Sequence, residues 1–100
     1  MHQNNFLIIS KIKDYIKLID NYVINIPKRE LYLKTKIYNT SFELIEKVYE
    51  INESEFKLEK NKLRAKLYTL DFLYELLYHK KYISEKQLEK IAYKLLELNK

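Results

Sequence analysis

Asp71, Glu75 and His79 form the one set of side chains in the sequence that suggests a metal site. They occupy positions i, i+4 and i+8, a spacing that places them on one face of a helix. Two carboxylates and an imidazole on one face are ligands of the kind that bind a transition metal. A di-metal site in a helical bundle, however, needs Glu-x-x-His pairs together with carboxylates from several helices. The sequence lacks such pairs, so we interpret the three residues as a polar helix flank and predict no metal site and no cofactor.

Missing residue types exclude most enzyme classes. The chain of 100 residues contains no Gly, and the phosphate-binding loops of nucleotide enzymes need Gly for their backbone geometry. It contains no Cys, which excludes disulfides, thiolate metal sites and cysteine nucleophiles. Its two His, at positions 2 and 79, form no HExxH motif. We therefore predict a protein that is not an enzyme and has no catalytic residues.

Four helical segments are predicted to position the remaining candidates. Apolar residues recur along each segment at spacings of three and four, the period of an amphipathic helix. Pro27 ends the first segment because the residue before a proline avoids the α region. Ser84 and Gln87 form a capping box that begins the last segment, and Ile83 with Leu88 forms a hydrophobic staple there. The predicted helices span residues 6–25, 28–51, 54–80 and 85–99.

Short connections between these segments favour antiparallel neighbours. We predict an all-α fold, an up-down-up-down antiparallel four-helix bundle that forms a single domain over residues 1–100. The longest apolar run, residues 6–9, is far shorter than the ~20 residues that span a bilayer. No charged segment typical of a signal peptide precedes it. We expect a cytoplasmic protein with no membrane partner.

The charge of the chain is unevenly distributed. The 19 basic and 14 acidic residues give a net charge of +5, which favours an anionic partner. The basic stretch 57–66 follows the acidic stretch 43–55, so we expect the two to neutralise each other across a tight turn, with Glu46, Glu50 and Glu53 compensating Lys57, Lys60 and Arg64. The two other connections carry six cations against only Glu30 and Glu85. We predict that these cations form a nucleic-acid-binding surface, called here the basic end: Lys28, Arg29, Lys34, Lys80, Lys81 and Lys86. A basic end that serves only solubility remains the alternative.

Aromatic residues suggest contacts between subunits. Tyr74, Tyr78 and Tyr82 lie at i, i+4 and i+8 beside Lys80 and Lys81. Such a stripe could stack nucleic-acid bases, although helix packing or a subunit contact is the more common use of aromatic rings. Together with a broad apolar stripe on the second helix, it offers more apolar surface than one bundle needs. We predict a closed homo-oligomer with these interface residues: Tyr38, Phe42, Tyr49, Tyr74, Tyr78 and Tyr82.

Short motifs in the second and last predicted helices carry a family resemblance. Ile26-Pro27-Lys28-Arg29 opens the second helix, Lys34 and a stretch centred on Glu46 follow, and the last helix runs from Ile83-Ser84 through Gln87 and Glu89 to Leu95-Leu96-Glu97-Leu98-Asn99-Lys100. Over about residues 8–100, their order and spacing resemble the Avd-like four-helix bundles, the accessory variability determinants of diversity-generating retroelements. Related bundles are encoded in intervening sequences of large-subunit ribosomal RNA genes.

The resemblance implies a homopentameric barrel of four-helix protomers. Its basic surface would bind a reverse transcriptase and the template RNA, and would assist mutagenic complementary-DNA synthesis without catalysing it. We therefore expect a non-catalytic accessory protein with RNA and a reverse transcriptase as partners. The alternative is a protein-only oligomeric scaffold or adaptor without nucleic-acid binding, whose basic charge serves solubility.

Overall fold

A computed structural model describes the backbone of residues 2–50 and 53–98, and the side chains of residues 7–50 and 59–98. Over these residues the structure is all-α, with four α-helices and no β-strand. The helices are α1 (His2–Val23), α2 (Leu31–Glu50), α3 (Glu53–His79) and α4 (Glu85–Leu98). None of them has an apolar stretch long enough to cross a bilayer.

The start of the second helix differs from the predicted one. Pro27 has an extended backbone with ψ of 154°, and α1 ends earlier, at Val23. A single 3-10 turn, Lys28–Glu30, then leads into α2. The turn is closed by the Glu30 amide, which donates to the Pro27 carbonyl oxygen at 2.9 Å. Pro27 therefore separates the two helices as predicted, and the cations Lys28 and Arg29 lie in the turn rather than in the α-helix.

The capping box that begins α4 is confirmed. The Ser84 amide donates to Gln87 Oε1 at 2.9 Å, and the Gln87 amide donates to Ser84 Oγ at 3.1 Å. Each side chain therefore accepts a hydrogen bond from the other residue's backbone amide, which has no partner within the helix. Ile83, just before the cap, is buried, and Leu88 packs against the same core.

One core lies between the four helices. Both α1 and α3 pack against α2 and α4, so the helices surround a common interior as a four-helix bundle. The apolar seam predicted for the third helix faces this interior, and all five of its members are buried: Leu63, Leu67, Leu70, Tyr74 and Leu77. At α3 the alternation of threes and fours therefore identified the core face correctly.

A chain of hydroxyl groups crosses the core from α3 to α2. The Tyr15 hydroxyl lies 2.7 Å from the Tyr74 hydroxyl and 2.8 Å from Ser41 Oγ. Ser41 donates its single proton to the Ile37 carbonyl oxygen at 2.7 Å. Because each hydroxyl has one proton, Tyr15 must donate to Ser41, and Tyr74 must donate to Tyr15. Burial raises the pKa of Tyr15 to about 12 and that of Tyr74 well above its ordinary value.

The placement of Tyr74 corrects one prediction. Its side chain is 0% exposed and meets the Tyr15 ring edge-on, with centroids 6.4 Å apart. It has no free surface for a second subunit, so its assignment to an oligomer interface was wrong. A spacing of four residues turns a helix by about 400°, so each member of the stripe is rotated ~40° from the last. Tyr74 lies in the seam, whereas Tyr78 and Tyr82 are only half-buried.

Candidate functional site

The carboxylate of Glu30 joins the two basic connections. Glu30 ends the 3-10 turn and is only 6% exposed. The Tyr82 hydroxyl donates to its Oε2 at 2.9 Å, and Lys80 Nζ lies 3.2 Å from the same oxygen. The Tyr82 hydrogen bond, and then Lys80, hold the pKa of Glu30 below its ordinary value, and Glu30 in turn raises the pKa of Lys80. The α1–α2 connection thus contacts the α3–α4 connection, as the predicted basic end requires.

Five of the six predicted cations are exposed to solvent, and one of these, Lys80, is paired with Glu30. Lys28 and Arg29 lie on the 3-10 turn, Lys81 is the second residue after the end of α3, and Lys86 lies in the first turn of α4. Since Glu30 binds the first connection to the second, these side chains belong to one end of the molecule. An anion approaching this end would meet four mobile positive charges at its surface.

The other two predicted cations stabilise the fold. Lys34 is half-buried, and its ammonium donates to the Ile24 carbonyl oxygen at 3.2 Å, just beyond the end of α1, where carbonyls lack helical partners. Lys80 is paired with Glu30. Sequence position alone does not separate these two lysines from the other four cations, because the difference depends on contacts between elements.

Lys81 has a backbone conformation that usually belongs to glycine. Its φ is 68°, the one positive value among the described residues. The Tyr82 amide donates to the Leu77 carbonyl oxygen and the Lys81 amide donates to that of Tyr78, both at 2.9 Å. These two bonds form a Schellman motif, which ends α3 with a left-handed residue. A lysine therefore occupies the position where Gly, and next Asn, are favoured.

A hollow of about 540 Å³ lies beside this motif. Its lining comes from the end of α3 and the connection that follows: Tyr78, His79, Lys81, Tyr82, Ile83 and Ser84. The His79 ring is exposed and lies 5.7 Å from the Tyr78 ring, centroid to centroid. Aromatic surface and a cation therefore meet in one concave place. Tyr32, 65% exposed and near enough to help raise the pKa of Lys80, adds a ring nearby that sequence reasoning did not single out.

The remaining predicted interface residues lie in two separate places. Tyr38, Phe42 and Tyr49 follow one stripe along α2 that also includes Ile45, whereas Tyr78 and Tyr82 belong to the basic end. The Tyr38 and Phe42 rings are stacked with centroids 5.9 Å apart. Phe42 is 46% exposed and Tyr49 63%. Phe42 and Tyr49 therefore leave apolar surface of the α2 stripe uncovered, whereas Tyr38 and Ile45 pack partly against the core.

Tyr38 anchors the α2 stripe to α1. Its hydroxyl donates to Asp20 Oδ1 at 2.7 Å. Partial burial and the neighbouring Asp20 carboxylate together raise the pKa of Tyr38 to about 12. The ring at this end of the stripe is therefore held in a fixed orientation.

Among the described residues, one cation of the stretch 57–66, Lys66, pairs with an acid of α2, whereas the other ion pair between these helices joins Lys47 of α2 to Glu59 of α3. Lys66 Nζ lies 3.0 Å from Glu43 Oε1, and Lys47 Nζ lies 2.9 Å from Glu59 Oε1. The partners differ from those expected, which were Glu46, Glu50 and Glu53. The side chains of Glu53 and Lys57 lie outside the described residues.

The i, i+4, i+8 set on α3 does not converge. Asp71 is half-buried in a groove against α4, whereas Glu75 and His79 are exposed. Within the described ranges, no three His, Cys, Asp or Glu side chains come close enough to hold a metal ion.

Comparison of the chain with known proteins returns no match, whether against models of protein families, curated proteins or solved structures.

Proposed function

We propose that the protein is a non-catalytic, oligomeric accessory protein that binds RNA through its basic end. The observation that carries the proposal is the Glu30 contact, which holds two connections together while Lys28, Arg29, Lys81 and Lys86 remain exposed. A cluster of cations on one surface attracts phosphates and releases their condensed counterions. Such contacts give affinity without reading base identity.

The proposal includes an up-down-up-down antiparallel topology. It is supported by the packing of successive helices against each other and of α1 against α4. The connections are also short, since α3 begins three residues after α2 ends and α4 begins six residues after α3 ends. In the proposed topology, both basic connections lie at one end and the α2–α3 turn at the other.

The partners follow from the resemblance and from the α2 stripe. Similarity to the Avd-like bundles suggests a reverse transcriptase and its template RNA as partners, a pentamer as the assembly and the cytoplasm as the location. The exposed Phe42 and Tyr49 supply an apolar surface of the kind that subunits bury against each other. Tyr38, in the same stripe, is hydrogen-bonded to Asp20 of α1. A ring of subunits would repeat the basic end around its axis, so that weak single contacts combine into firm binding.

The test measures RNA affinity while the salt concentration is varied. Fluorescence anisotropy with a labelled RNA compares the native protein with the double variant Lys28→Glu/Arg29→Glu. Loss of two phosphate contacts should weaken binding about tenfold or more at low salt and lower the slope of log affinity against log salt by about 1.4. Circular dichroism and light scattering should remain unchanged, because both side chains are exposed.

The matched control is Lys11→Glu/Lys13→Glu. It makes the same charge change with exposed residues of α1, about 15–18 Å along the helix from Val23. That distance exceeds the Debye length of roughly 10 Å, so the control should retain most of the affinity. If the control loses as much affinity as the test variant, or if the native protein binds no RNA at low salt, the basic end is not an RNA site.

The second candidate function is a protein-only scaffold or adaptor, which the exposed α2 stripe favours. In that case, light scattering would give an oligomeric mass while the protein showed no RNA binding at low salt. A monomeric mass at micromolar concentration would contradict the oligomer in both proposals. The variant Phe42→Glu/Tyr49→Glu, which places charge on the stripe, should dissociate the oligomer.

A further inference from the structure

The backbone of Lys81 points to a role for its side chain. A residue with a β-carbon is unfavourable at a φ of 68°. Asn tolerates this region better than Lys and occurs eight times in the chain, but not here. The negative end of the α3 dipole favours a cation at this position, but this effect offsets only part of the backbone cost. Unfavourable backbone conformations that persist are concentrated at functional sites, so the side chain of Lys81 is the feature to explain.

The hollow beside Lys81 has the size and lining of a binding site. Its volume of about 540 Å³ lies within the range of small-ligand pockets. The rings of Tyr78 and Tyr82 line it next to the Lys81 cation. The hydroxyl of Tyr82 is already hydrogen-bonded to Glu30. The Tyr82 side chain therefore loses little further conformational freedom when a ligand stacks on its ring.

We propose that this hollow receives an unpaired nucleotide, so that the basic end binds single-stranded RNA in preference to duplex RNA. The inference rests on the proposed RNA binding and specifies its ligand. A base stacks on the aromatic lining while Lys81, assisted by Lys86, contacts a neighbouring phosphate. Single-strand binders combine aromatic platforms with a basic surface in this way. An A-form duplex keeps its base faces stacked internally and presents only phosphates, hydroxyls and groove edges.

The experiment compares two RNA probes on the full chain. Anisotropy is measured with a short oligouridine and with an RNA duplex of the same length, at one salt concentration. The native protein should bind the oligouridine about fivefold or more tightly than the duplex. Tyr78→Leu, which keeps apolar bulk but removes the ring, should abolish this preference and leave duplex binding unchanged. Tyr78→Phe should retain the preference, and His79→Ala, at an exposed position, tests the hollow without disturbing the core.

Lys81→Gly separates binding from stability. The variant relieves the backbone and should therefore raise the melting temperature, while it weakens oligouridine binding severalfold through loss of a phosphate contact. A lysine with only a structural role would not give these opposite changes. Lys81→Arg, which keeps the charge, should bind like the native protein.

These experiments distinguish a nucleotide site in the hollow from RNA binding at the basic end as a whole. Equal affinity for both probes, or an unchanged affinity in both Tyr78→Leu and Lys81→Gly, would overturn the nucleotide site while RNA binding at the basic end still stood. If the native protein binds neither probe at low salt, both the proposed function and this inference fail.

Discussion

The hydroxyl chain from Tyr74 through Tyr15 to Ser41 predicts unequal costs for two similar substitutions. Tyr15→Phe removes the middle hydroxyl, which takes away the hydrogen bonds to both Ser41 and Tyr74. Ser41 still donates to the Ile37 carbonyl, but the buried Tyr74 hydroxyl loses its acceptor. Two net hydrogen bonds at about 1 kcal/mol each, with desolvation of the remaining hydroxyl at about 1–3 kcal/mol, give a loss of roughly 3–5 kcal/mol of unfolding free energy.

Tyr74→Phe removes only the end of the chain. Tyr15 continues to donate to Ser41, so no buried donor loses its acceptor, and the expected loss is about 1 kcal/mol. The double variant Tyr15→Phe/Tyr74→Phe should cost less than the sum of the two single changes by about 1 kcal/mol or more, because the second change removes the hydroxyl that the first left unsatisfied.

Urea unfolding followed by helical circular dichroism measures these differences. Protein concentration must be held constant, since association stabilises the folded state by mass action. For a domain of this size, 1 kcal/mol corresponds to about 4–8 °C in melting temperature. Equal losses for Tyr15→Phe and Tyr74→Phe, or strict additivity in the double variant, would refute the direction assigned to the hydrogen bonds.

Three further predictions concern the basic end and the start of α4. Lys81→Gly should stabilise the protein by about 1 kcal/mol, as relief of a left-handed non-glycine residue predicts, and a lower melting temperature would contradict the assigned conformation. The lowered pKa of Glu30 means that its contribution is present above the unfolded-state pKa of 4.5 and is lost as the pH falls through the folded-state value; acid titration of Glu30→Gln should therefore show a weaker loss of stability than that of the native protein. Ser84→Ala should cost about 1 kcal/mol by removing the acceptor for the Gln87 amide, and Ser84→Thr, which keeps the hydroxyl, should cost much less in the same melts.

Local patterns in the sequence predicted the four helices, although not the 3-10 turn that precedes α2 or the earlier end of α1. Pro27 predicted the separation of the first two helices, and Ser84 with Gln87 predicted the start of α4, because these effects act within a few residues along the chain. The seam of α3 was predicted for the same reason, since burial follows the helical period wherever one face meets the core. The absence of Gly and Cys argues against Gly-rich phosphate-binding loops, disulfides and thiolate sites without any reference to folding.

Tertiary contacts determined which members of each sequence pattern are buried, ion-paired or exposed. Tyr74, Tyr78 and Tyr82 form one stripe in the sequence, but only the packing of α3 showed that the first is a core residue. Lys80 and Lys81 are adjacent, yet one is paired with Glu30 and the other is exposed in a left-handed conformation. The contact between Glu30 and Tyr82 spans 52 positions. Helical periodicity repeats every 3.6 residues and is specified locally, whereas a contact of this kind exists only after the helices have packed, and no local pattern encodes it.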